Sequence, residues 1–83
     1  MDAMQVQMKR KPEVMAATGR GHASLYNDIK AGLMTEPVHI GTQSVAWPDY
    51  EIAAINRARI AGKTNDELRA LVTELHAQRK VAA

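Results

Sequence analysis

At 83 residues the chain has room for one domain with a modest core, and its 46% hydrophobic and 24% charged content is that of a folded globule rather than a disordered segment. The absence of cysteine excludes disulfides, thiolate nucleophiles and cysteine-ligated zinc, no apolar run approaches the roughly 18 residues of a membrane span, and the polar start does not read as a signal peptide, so a cytoplasmic protein without a membrane partner is expected. The formal net charge of +2 permits nucleic-acid binding without demanding it, so the placement of charge matters more than the sum.

Residues 1–8 carry little signal. Met4, Val6 and Met8 alternate with polar residues, which fits either a short edge strand or a flexible segment; we treat 1–8 as flexible and begin the domain at residue 9. Lys9, Arg10 and Lys11 form a basic run. Pro12-Glu13 then opens a first helix, with proline at a position that lacks an intrahelical N–H partner and an acid facing the helix dipole. Val14 and Met15 supply its apolar side, and Gly19 ends it. A second helix is predicted from His22 to Ala31, with Leu25 and Ile29 on one face and Gly32 as its stop. Two short helices joined by a glycine-containing turn form a helix-turn-helix pattern, one that many helical hairpins share.

The chain then changes character. Pro37 breaks helix, Val38-His39-Ile40 alternates like a strand, Gly41-Thr42-Gln43-Ser44 reads as a turn, and Val45-Ala46-Trp47 reads as the return strand. A hairpin in that place is a wing. Pro48-Asp49 opens a third helix with apolar positions at Tyr50, Ile52, Ile55 and Ile60, closed by Gly62. Thr64-Asn65-Asp66-Glu67 has the form of a capping box, in which Thr64 and Glu67 each satisfy an otherwise unpaired backbone N–H. The fourth helix follows with Leu68, Leu71, Val72 and Leu75 at helical spacing. The expected fold is therefore α+β: a small winged helix-turn-helix domain over 9–62, with a two-stranded hairpin wing, and an extra C-terminal helix over 63–83.

The ordered set Pro12-Glu13-Val14, Thr18-Gly19, Ser24-Leu25-Tyr26, Ile29-Lys30-Ala31-Gly32, Pro37-Val38, Ile40-Gly41 and Trp47 resembles the AlpA family of phage regulators, within the wider group of small winged excisionases and MerR-like DNA-binding domains. The resemblance covers residues 12 to about 60. It departs from the family pattern at Arg20, where leucine is usual, at Gly21, where serine is usual, at Lys11, where an apolar residue is usual, and at the wing tip, where Gln43 and Ser44 stand in place of arginine. The resemblance implies duplex-DNA binding in one of two related jobs. One is transcriptional regulation of a prophage or mobile element. The other is recombination directionality (excisionase) control, with an integrase or other recombinase as a further partner. It also implies cooperative binding of several copies to repeated sites, as a homo-oligomer on DNA.

The residues have their own chemistry. With Leu25 and Ile29 turned to the core, His22, Ala23, Asn27 and Lys30 fall on or near the opposite face. Asn27 can pair bidentately with adenine, and Lys30 can meet guanine or phosphate. Ser24, Tyr26, and Arg20 in the preceding turn are candidate phosphate contacts, as are the basic Lys9 and Arg10. Thr42, Gln43 and Ser44 offer uncharged donors at the wing tip. Asp28 on the same helix would repel phosphate unless it accepts from cytosine or points aside. A solvated polar face fits the same residues. Trp47 is expected in the core.

No catalytic role, metal or cofactor is expected. The three histidines fall on three different elements, and no metal-binding spacing or phosphate-binding glycine loop occurs. The apolar stripe of Leu68, Leu71, Val72 and Leu75 either folds back onto the domain or docks on a second copy, an integrase or a polymerase. The rival to DNA binding is a protein-interaction adaptor with the same fold, favoured by the weak charge, the missing wing arginine and Asp28.

Overall fold

The computed structural model describes residues 5–81. The chain runs β1 (Met8–Lys9), α1 (Lys11–Thr18), α2 (His22–Lys30), β2 (Val38–His39), β3 (Val45–Pro48), α3 (Asp49–Ile60) and α4 (Asn65–Val81). Four helices and a small antiparallel sheet in the order β1-β3-β2 make an α+β winged helix.

Local chemistry accounts for most element boundaries. The Glu13 carboxylate accepts the Arg10 backbone N–H at 2.9 Å, closing the start of α1 over Pro12. Gly19 ends α1 at φ 72°, a left-handed conformation that a side chain disfavours, and its N–H donates to the Met15 carbonyl. At the start of α4 the Thr64 N–H donates to Glu67 Oε1 at 2.8 Å, and the Glu67 N–H donates to Thr64 Oγ1 at 3.1 Å, the reciprocal box the sequence predicts.

The wing pairs Val38 with Ala46 and His39 with Val45, and the Ile40 N–H donates to the Ser44 carbonyl across its tip. A third strand joins it: Met8 pairs with Pro48 and Lys9 with Trp47. Gln7 is tied in as well, its carbonyl accepting the Asp49 N–H at 2.9 Å and its N–H donating to Asp49 Oδ2 at 3.2 Å. The flexible segment expected up to residue 8 is thus corrected at Gln7 and Met8, whose backbone groups are spent on the sheet and on α3. Met4 lies outside the described residues.

The core gathers Val14, Leu25, Met34, Trp47, Ile52, Ile55, Val72 and Leu75. Trp47 is fully buried at its centre, and its indole N–H donates to the Thr35 carbonyl at 2.9 Å, so the one polar atom of the ring is satisfied. Helical geometry sorts the predicted apolar residues of α3. Ile52 and Ile55 face inward, whereas Ile60, five residues past Ile55, turns away and is 85% exposed. Glu51, four residues before Ile55, shares the inner face and is completely buried. Its carboxylate accepts Arg79 Nε and Nη2, both at 2.7 Å, and this pairing raises the Arg79 pKa above its ordinary value.

α4 lies against the domain. Of the two fates expected for the apolar stripe, Leu68, Val72 and Leu75 fold back onto the domain and are buried there rather than free for an oligomer or partner, while Leu71 is half-buried against the same core and keeps some exposed surface. The polar side of α4 grips the connector between α2 and β2. Arg69 Nε donates to the Ala31 carbonyl at 2.9 Å, His76 Nε2 accepts the Glu36 N–H at 3.0 Å, and Arg79 Nη2 donates to the Glu36 carbonyl at 2.6 Å. Among the described residues no helix is long and apolar enough to cross a membrane.

Candidate nucleic-acid interface

The interface is built outward from α2. Leu25 anchors it in the core and Ile29 packs against that core, which turns Ala23, Asn27 and Lys30 to solvent. His22 is exposed at its first turn, while Ser24 and Tyr26 are half-buried along its sides. The outward face therefore offers an amide and an ammonium with no described side-chain partner, one turn apart on a rigid element. Such a face can exchange hydrogen bonds with base edges.

Beside Tyr26 stands a basic cluster that draws on α1. Lys11 Nζ lies 3.1 Å from His22 Nδ1 and 5.5 Å from the centroid of the Tyr26 ring, and the His22 and Tyr26 rings are 5.0 Å apart. An ammonium has no acceptor, so Lys11 donates and the imidazole nitrogen accepts. Arg10, Lys11, Pro12, Tyr26, Gln43 and Val45 line a cleft of about 340 Å³ between α2 and the wing. The fold thus brings Arg10, Tyr26 and Gln43 together from three separate stretches of sequence.

Other predicted residues are engaged elsewhere. Lys9 donates to Gln7 Oε1 at 2.9 Å and lies 3.8 Å from Glu13 Oε2. Arg20 forks onto Asp28, with Nε at 3.0 Å from Oδ2 and Nη2 at 3.1 Å from Oδ1. Asp28 is buried and takes a second cation from α3, Arg59 Nη2 at 3.4 Å. Of the alternatives open to Asp28, the fold takes the one in which the carboxylate points aside, paired with two guanidiniums. Thr42 and Gln43 are exposed at the wing tip and Ser44 is half-buried.

Sequence reasoning missed Arg59 altogether, because its partner lies 31 residues away and no local spacing announces the pair. Lys11 is legible in the sequence as part of a basic run and as a departure from the family pattern; the fold sets it beside Tyr26 and His22 of α2.

Against this geometry the comparisons with known proteins are decisive for the family. Residues 7–60 match the family described as prophage CP4-57 regulatory protein (AlpA). The chain belongs to the AlpA family of prophage regulatory proteins. It is also 36% identical over 62 residues to an uncharacterized protein, ORF88, of enterobacteria phage P4, a match covering 75% of this chain and 70% of that protein. No solved structure matches the chain. The AlpA match runs from the residue before β1 to the last residue of α3, so it contains the helix-turn-helix, the wing and the Arg20–Asp28–Arg59 set. α4 lies beyond that AlpA span even though Leu68, Val72 and Leu75 complete the hydrophobic interior.

Proposed function

We propose that this chain binds duplex DNA sequence-specifically, with α2 in the major groove and the β2–β3 wing against the neighbouring backbone. The observation that carries the reading is the outward face of α2, where Asn27 and Lys30 stand free beside the Lys11–His22–Tyr26 cluster and the wing cleft. Membership of a prophage regulatory family supports a regulator over an enzyme. The protein acts in the cytoplasm, on the nucleoid, as a transcriptional regulator that also directs excision of a prophage or integrative element together with its integrase. One α2 reads few base pairs, so several copies bind cooperatively to repeated sites. Leu71 lines a groove of about 310 Å³ with Ala58, Lys63, Glu67, Ala70 and Glu74, and this is the surface of α4 left for a neighbouring copy.

The test is fluorescence anisotropy with a duplex of about 30 base pairs, titrated across salt. Log affinity should fall with log salt by about 0.9 per phosphate neutralised. Substituting Asn27→Ala with Lys30→Ala should remove binding while leaving the fold intact. The adaptor reading, favoured by the net charge of only +2, predicts no binding by a folded wild-type chain at low salt.

A further inference from the structure

Tyr26, Asn27 and Asp28 are consecutive on α2. At about 100° per residue, Tyr26 and Asp28 lie to opposite sides of Asn27. Each of these flanks carries cations brought from another part of the fold. On the Tyr26 side stands Lys11 of α1, 5.5 Å from the ring. On the Asp28 side stand Arg20 of the α1–α2 turn and Arg59 of α3. A helix of about 10–12 Å diameter fills a major groove about 12 Å wide, and phosphates border that groove on both sides. A helix with cations on both flanks and an amide between them matches that arrangement.

The Asp28 flank is built with more care than charge alone requires. The carboxylate accepts three N–H groups, two from Arg20 and one from Arg59. It carries one negative charge against two guanidiniums, so the set keeps a net positive charge of one. The Asp28 side chain is only 10% exposed, whereas those of Arg20 and Arg59 are 39% and 35% exposed. Each guanidinium has five N–H donors, so most remain uncommitted after Asp28 has taken its three. The result is Arg20 held as a fork and Arg59 tied to the same carboxylate through Nη2 at 3.4 Å, with the remaining donors of both reaching solvent. Bidentate recognition of phosphate uses the planar guanidinium fork, and a carboxylate that restrains it beforehand lowers the ordering cost on binding.

Resting on the proposed DNA binding, we propose that Arg20 and Arg59 jointly grip a backbone phosphate of the bound duplex, with Asp28 as the positioning residue that aligns them. Asp28 acts through the arginines and does not touch the DNA. This assigns a DNA contact to α3 and gives an acidic residue on the reading helix a role in binding a polyanion.

The experiment uses the full chain, the same labelled duplex and a salt series, with D28N, R59Q and R59K, and a thermal melt of each variant. R59Q should weaken binding severalfold and lower the salt slope by about 0.9, the loss of one phosphate. R59K, which keeps the charge and loses the fork, should fall between R59Q and wild type. D28N is the sharper test because the two views disagree in sign. It raises the net charge from +2 to +3, one acid fewer, so simple electrostatics predicts tighter binding. Alignment of the two arginines by Asp28 predicts weaker binding. Tighter binding by folded D28N, or an unchanged slope in R59Q, overturns the inference. Should D28N fail to fold, R59Q decides, since its side chain is partly exposed. A folded wild-type chain with no salt-dependent binding overturns the proposed function and this inference together, whereas a binding wild type with an unaltered R59Q overturns the inference alone.

Discussion

Replacing Arg79 with methionine is expected to cost about 3–5 kcal/mol, the penalty of leaving one member of a buried ion pair without its partner. Glu51 has no exposed surface, and both its oxygens are held by Arg79 at 2.7 Å. Methionine keeps much of the arginine stem's volume, so the loss is that of charge and hydrogen bonds. An 83-residue chain is stable by about 4–12 kcal/mol, at roughly 0.05–0.15 kcal/mol per residue, so the substitution removes a large share of the whole. A loss of 3 kcal/mol corresponds to a fall in Tm of about 12–24 °C in a domain of this size. Far-UV circular dichroism melts of wild type, R79M, E51L and the E51L/R79M double variant measure it. The double variant removes both charges and should recover most of the loss, since replacing a buried pair by apolar residues is often neutral or stabilising. The exposed Glu36 carbonyl, deprived of its Arg79 donor, is then met by water. A cost below about 1 kcal/mol for R79M would show that Glu51 is solvated in solution. A double variant as unstable as R79M would show that the unpaired carboxylate is not the cause. Either result refutes the reasoning.

Three further outcomes are expected. N27A/K30A should lose sequence-dependent anisotropy while its melt stays within about 0.5 kcal/mol of wild type, because both side chains are exposed; retained binding would remove α2 as the reading element. Q43R places a cation at the cleft lined by Arg10, Lys11 and Tyr26 and should raise the salt slope by about 0.9, and an unchanged slope would show that the wing tip stays away from phosphate. The Thr64 backbone N–H, followed by its hydroxyl, holds the Glu67 carboxyl below the usual glutamate range. The stability that this box contributes is therefore complete above the ordinary glutamate pKa of about 4.3 and is lost as pH falls through the lower folded-state value. A carboxyl ¹³C titration should find Glu67 low, and T64A should move it only part of the way up because the backbone donor remains; a wild-type Glu67 titrating in the ordinary range would show that the box is open.

The sequence made the local devices legible. Pro12-Glu13 and Gly19 bound α1, Leu25 and Ile29 set the orientation of α2, the Thr64–Glu67 box starts α4, and Trp47 lies where a lone large aromatic belongs. Each rests on a cap, a turn or a period spanning a few residues. What stayed hidden depends on pairs far apart in the chain. Glu51 and Arg79 are 28 residues apart, Arg59 and Asp28 31, and Arg69 reaches the Ala31 carbonyl across 38. Glu51 reads as an ordinary first-turn acid until the fold shows that it shares a face with Ile55. The polar side of α4 reads as a solvated surface until it is found holding the connector. β1 is two residues long, too short for alternation to declare it.

The placement of α4 bears on how α2, the proposed reading helix, and the wing would cooperate. The connector from Ala31 to Pro37 carries the end of α2 into the base of β2. α4 holds it at both ends, through Arg69 at the Ala31 carbonyl and through His76 and Arg79 at the two backbone groups of Glu36. Buried Met34 and Thr35 fix the middle, with the Thr35 carbonyl receiving the Trp47 indole N–H. Fixing the backbone of one residue costs about 1–2 kcal/mol, and a connector left loose would incur that cost on binding. Here it is met during folding, by a helix that places no assigned residue on the DNA. In the proposed complex a substitution in α4 therefore weakens binding by loosening the angle between α2 and the wing. Its signature is reduced affinity at an unchanged salt slope, the opposite of losing a phosphate contact such as the one assigned to Arg59. The two kinds of defect are separable in one titration, which makes the salt slope, rather than affinity alone, the quantity that distinguishes the residues proposed to face DNA from those that hold them in place.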